Sequence, residues 1–136
     1  MKIWYGYGSE HSMNLVMIGQ FKDAGDAEKA KKIIDSFTES VNADVQAGLL
    51  EVGNPPERFS ERMLELLRKA NIYIIGANEF EQFAYDCRVK VDGNKVVLTT
   101  DESDVSAFLK VLIEQGARVE VYSAHQYPDT PYGRGK

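Results

Sequence analysis

Phe83-Ala84-Tyr85-Asp86-Cys87-Arg88-Val89-Lys90-Val91-Asp92-Gly93-Asn94-Lys95-Val96-Val97-Leu98-Thr99-Thr100 decides the fold class. Phe83, Tyr85, Cys87, Val89 and Val91 share one parity, and Ala84, Asp86, Arg88 and Lys90 take the other. Successive side chains of a strand point to opposite faces, so this alternation predicts a strand with one buried face. Gly93 and Asn94 tolerate positive φ, so Asp92-Gly93-Asn94-Lys95 predicts a tight turn and an antiparallel return over Lys95 to Thr100.

On the N-terminal side of this hairpin, Ile72-Tyr73-Ile74-Ile75 predicts a short buried strand or the start of a longer bent one, punctuated by Gly76. Asn54-Pro55-Pro56-Glu57 carries helix-start chemistry: Asn54 can cap, Pro55 suits the first helical position, and Glu57 can reach back. A helix is therefore expected from Pro55 to Ala70, with Phe59, Met63, Leu66 and Leu67 inward and Asn71 ending it. Ala47 to Val52 is too short to choose between a strand and an ordered loop.

Further upstream, Ala27, Ala30, Ile33, Ile34, Phe37 and Val41 recur at steps of three and four behind Asp23 and Asp26, which marks an amphipathic helix. Asn14 to Phe21 is apolar at both parities, as a central strand covered on both faces would be. Lys2 to Tyr7 predicts an additional N-terminal strand. Downstream of the hairpin, Thr100 or Asp101 caps a helix with the stripe Val105, Phe108, Leu109, Leu112 and Ile113, ended by Gly116. A closing strand over Ala117 to Tyr122 turns Val119 and Val121 inward.

Without the opening strand and the 42–75 insertion, the order is strand, helix, strand, strand, helix, strand. That order resembles the ferredoxin-like βαββαβ unit, an α+β antiparallel sheet with helices on one face, here with an extra N-terminal strand and an inserted helix. Its second face would show Asp86, Arg88, Lys90, Val97, Thr99, Arg118, Glu120 and Tyr122. The fold hosts too many functions to choose one by analogy.

Composition bounds the rest. The 136 residues, 43% hydrophobic and 27% charged, suit a single domain over 1–136, with a tail from about 124 to 136 whose last residues are expected to be mobile. A net charge of −5 without a basic patch argues against nucleic acid as a partner. The single cysteine, Cys87, allows no intrachain disulfide, and no run approaches a membrane span, so a cytoplasmic chain is expected.

The densest chemistry lies in Trp4-Tyr5-Gly6-Tyr7-Gly8-Ser9-Glu10-His11-Ser12-Met13-Asn14. Glu10 and His11 there, with His125 and Asp129 near the C-terminus, form the candidate catalytic or metal-ligating set, since imidazole titrates near neutral pH and ligates divalent ions. No spaced histidine motif accompanies them, and Gly6, Gly8 and Ser9 lack the ending of a phosphate loop. Trp4, Tyr7, Ser9, Asn14 and Tyr127 are the candidate walls of a ligand site where the 6–14 loop meets the 123–129 segment. The sequence leaves the cofactor unknown. The expected function is a small binding or oligomerising module, a homo-oligomer with a small molecule or protein as further partner; the alternative is a metal-assisted or acid/base enzyme.

Overall fold

The computed structural model describes residues 14–123. Strand β1 (Leu15–Gln20) leads into helix α1 (Ala24–Gln46), helix α2 (Glu61–Ala70), a 3-10 helix (Ala77–Ala84), the β2 (Cys87–Asp92) and β3 (Lys95–Thr100) hairpin, helix α3 (Ser106–Glu114) and strand β4 (Arg118–Ser123). The strands form one open antiparallel sheet in the order β2-β3-β1-β4.

The hairpin turns at Gly93, whose φ of 62° only glycine adopts freely. Asn94 ties that turn to the end of β1: its side-chain amide donates to the Phe21 carbonyl at 2.9 Å, and its own carbonyl accepts from the Phe21 N–H at 2.8 Å. Register then fixes which residues share a face. Val89, Leu98, Met17 and Val121 stand in one row across the sheet, and Val91, Val96, Gly19 and Val119 in the next. These rows face the helices: Met17, Val96 and Leu98 are fully buried, and a Cβ at Gly19 would lie 3.2 Å from the Leu112 side chain.

Between sheet and helices, four phenylalanines knit the core. Phe83 meets Phe37 edge-on at 5.2 Å and Phe108 at 5.0 Å, while Phe80 stacks on Phe37 at 6.1 Å. Phe80 and Phe83 are delivered by the 3-10 helix, in which residues three apart eclipse.

Several expectations are corrected. The strand expected from Phe83 begins only at Cys87, because Phe80 and Phe83 enter the core on the 3-10 helix. The helix expected from Pro55 starts at Glu61, where the Ser60 hydroxyl accepts from the Met63 N–H at 3.2 Å. Pro56 pushes the residue before it out of helical geometry, so Pro55 cannot open the helix. Residues 47–52, open in the sequence between a strand and an ordered loop, form turns and bends, with the Leu49 and Leu50 N–H groups both donating to the Asp44 carbonyl.

Ile72 and Ile75 are buried but unpaired by any strand among the described residues, and Tyr73 and Ile74 between them are exposed. Helix α3 starts at Ser106 rather than near Asp101, since Thr100 completes β3. Val121 keeps the inward register but is 45% exposed, being on a strand at the edge of the sheet among the described residues. Asn71 ends α2 in the left-handed conformation, as expected. The extra strand over Lys2 to Tyr7 and the tail from 124 lie outside the described residues.

Candidate functional site

The other face of the sheet carries the remaining parity in three cross-strand rows. They are Arg88, Thr99, Val16 and Tyr122; Lys90, Val97, Ile18 and Glu120; and Asp92, Lys95, Gln20 and Arg118. No helix among the described residues packs on this face. Val16, Ile18 and Val97 are half-buried between charged neighbours, so β1, expected to be covered on both sides, is covered by helices on one.

At the Arg88 end of this face lies a cavity of about 260 Å³ lined by Asn14, Asp86, Arg88, Thr99, Thr100 and Asp101. Asn14 enters β1 with φ 49°, a left-handed conformation that asparagine tolerates better than most residues. The Thr100 hydroxyl donates to the Asp86 carbonyl at 2.9 Å and accepts from the Glu102 N–H at 3.1 Å, which holds the two chain segments of the rim together. Two carboxylates and one guanidinium on an open rim suit a small polar ligand with both donors and acceptors.

At this same end of the sheet Leu15 stands opposite Thr100 on one side and Ser123 on the other. The segments preceding Asn14 and following Ser123 therefore attach to the sheet side by side. Of the candidate site residues, Asn14 is on the cavity wall. Trp4, Tyr7, Ser9, Glu10, His11, His125, Tyr127 and Asp129 lie outside the described residues. Among the described residues no group of three or more His, Cys, Asp or Glu side chains is placed to hold a metal ion.

Residues 1–134 match the model of a family of unknown function, DUF6375. The chain belongs to the DUF6375 family. The match takes in both segments that flank the described part of this DUF6375 chain. No curated protein and no solved structure matches it.

A second polar cluster, which sequence reasoning missed, joins the 3-10 helix to α3. The Glu79 carboxylate accepts from the Gly76 N–H at 2.7 Å, from Lys110 Nζ at 2.6 Å and from the Ser106 hydroxyl. Burial pushes its pKa up, but these donors outweigh that and hold it below the usual carboxylate value. Gln82 accepts from the Ala107 N–H at 2.7 Å and donates to Ser106 Oγ at 3.0 Å. Glu81 accepts from the Gly53 N–H at 2.7 Å and from the Tyr85 hydroxyl at 3.0 Å; burial first, and then this bond, push the Tyr85 phenol up. Because these acids and Gln82 are engaged within the chain, the cluster is structural. The interleaving of Glu79, Glu81 and Gln82 with Phe80 and Phe83 was its one signal in the sequence.

Two other features belong to the described residues. The groove between α1 and α2 holds cavities of about 350 and 230 Å³ that share Leu66 and Lys69, with Lys29, Lys32 and Arg62 at the rim and Ile33 and Phe37 below. Arg62 Nε lies 3.0 Å from Asp44 Oδ1, an ion pair whose angle falls short of a hydrogen bond. Cys87 lines a smaller cavity beside Tyr85 and Phe108. Burial pushes its thiol up, with the Glu102 and Asp86 charges adding to this and a hydrogen bond with Thr100 opposing it, which disfavours the thiolate a nucleophile needs.

Proposed function

We propose that this chain is a small cytoplasmic module that binds and self-associates through the sheet face opposite its helices. The observation that supports this reading is the face on which no helix among the described residues packs, where half-buried Val16, Ile18 and Val97 run between rows of charge. Apolar side chains in the middle of a charged rim are the composition of a specific interface. The sheet order, read β4-β1-β3-β2 with α1 and α3 connecting its strands, supports a ferredoxin-like description of the scaffold. The test is the mass of the full chain as a function of concentration, by sedimentation and native mass spectrometry. A rise toward twice the chain mass at micromolar concentration is the expected result; a monomer at several hundred micromolar would overturn the reading.

A second reading places ligand or acid/base chemistry at the Asn14 end of that face. It is favoured by the pairing of Leu15 with Ser123, which sets side by side the two ends of the described chain, one following Glu10 and His11 in sequence and the other preceding His125 and Asp129. Metal or small molecule that co-purifies with the chain and is lost in His11→Ala supports it. Unchanged binding in that variant removes Glu10, His11 and His125 as a site.

A further inference from the structure

The outer face is complementary to itself under one symmetry operation. We propose that two copies dock face to face about a two-fold axis parallel to the strands and passing between β3 and β1, an inference that rests on the self-association reading above. Isologous contact requires that whatever residue i meets on the partner, the partner's copy of i meets here. An axis parallel to the strands keeps each row in place and reverses its order, so β2 lies over the partner's β4, and β3 over its β1.

The consequences can be read from the register. In the middle row Lys90 meets the partner's Glu120, and Val97 meets the partner's Ile18. In the row nearest the hairpin turn Asp92 meets the partner's Arg118, and Lys95 meets the partner's Gln20. In the third row Arg88 meets the partner's Tyr122, a guanidinium over a phenol ring, and Thr99 meets the partner's Val16. Each charge in these three rows receives an opposite charge, an aromatic ring or an amide, and the apolar centre meets an apolar centre.

The other in-plane axes do not achieve this. An axis perpendicular to the strands sets Lys90 over the partner's Lys90 and Glu120 over the partner's Glu120. One diagonal axis sets Arg88 over the partner's Arg118, and the other sets Arg88 over the partner's Arg88. Juxtaposed like charges are strongly unfavourable at an interface, so they select the strand-parallel axis. That axis also gives the near-aligned packing usual for two twisted sheets.

Within one copy Lys90 and Glu120 cannot pair. They sit on opposite edge strands, about 14 Å apart by strand spacing, and among the described residues neither is joined to another charge. By the same dimensions the described face is about 20 Å on a side, or about 800 Å² in total for two copies, below the standard interface size, so a weak, concentration-dependent dimer is expected.

The test is a charge-reversal cycle on the full chain: wild type, Lys90→Glu, Glu120→Lys and the double variant, each followed by sedimentation equilibrium, with circular dichroism to confirm folding. Each single reversal should weaken dimerisation by about tenfold or more, and the double reversal should restore it to within about threefold of wild type, because the pair is remade with its signs exchanged. A wild-type dimer that tolerates both single reversals, or is not restored by the double, overturns this docking while leaving self-association standing. A wild type that stays monomeric removes the reading on which it rests and leaves the face to another occupant.

Discussion

The Ala107 backbone N–H donates to Gln82 Oε1 at 2.7 Å, so the first turn of α3 is capped by a side chain that the 3-10 helix supplies. Val105, at the N-cap position of α3, contributes no side-chain hydrogen bond. Gln82 therefore performs from a distance what serine or aspartate does locally, and it anchors α3 to the element carrying Phe80 and Phe83. Gln82→Ala leaves the Ala107 N–H buried without its acceptor. A loss of about 1 to 3 kcal/mol is expected, measured by urea denaturation. A change below a few tenths would show that water replaces the cap.

The same junction sets a pH dependence. Glu79 has its pKa depressed in the folded chain, its donors outweighing burial, so its ionised form is stabilised by folding. A depressed carboxylate contributes stability that is present above its unfolded pKa and is lost as pH falls through the folded one. The contribution should therefore be intact at pH 7 and decline below about 4.5, the ordinary value. Chemical denaturation of wild type and Glu79→Gln at several pH values checks this. The variant should be less stable at neutral pH, and the two curves should converge on acidification. Parallel curves down to pH 3 would mean that Lys110 and Ser106 do not favour the ionised form.

Cys87 should behave as a hindered thiol. It is half-buried on the helix-facing side of an edge strand, and burial pushes its pKa up, so less thiolate is present at a given pH than for a free cysteine. Alkylation by iodoacetamide at pH 7.5 is expected to be several-fold slower in the folded chain than in 6 M urea. Equal rates would place the thiol in solvent and reopen it as a reactive group.

How far the sequence carries the fold depends on which interactions are local. The β2-β3 hairpin, α1 and the left-handed end of α2 at Asn71 are specified by neighbours: an alternating parity, a 3.6-residue stripe and a residue tolerant of positive φ. The outer face was legible for the same reason, since Arg88, Lys90, Val97, Thr99, Arg118, Glu120 and Tyr122 follow from parity once the strands are known. The 3-10 helix was not, because Phe80 and Phe83 are held by Phe37 and Phe108, distant in the chain, and strand alternation from Phe83 imitates its last residues. The cap of α3 was missed on the same grounds: Gln82 acts 25 residues away from Ala107. Of the candidate site, Asn14 alone lies within the described residues, and its cavity partners Asp86 and Asp101 come from chain segments that only the sheet register brings together.

The start of α2 offers a discriminating case, since two plausible caps lie six residues apart. Asn54 precedes a proline, a strong local signal, yet Pro56 denies Pro55 the helical conformation. Ser60 lacks that conflict: it is extended at φ −78° and ψ 166°, and its hydroxyl accepts from the Met63 N–H. Met63 is buried and Leu67 lies one turn further on, so a cap at Ser60 starts the helix in phase with its apolar stripe. Ser60→Ala should cost about 1 kcal/mol in global stability, the usual loss for an N-cap serine, while Asn54→Ala should change it by no more than a few tenths. Both are read from denaturation midpoints at unchanged slope. The reverse order of effects would place the helix start at the prolines.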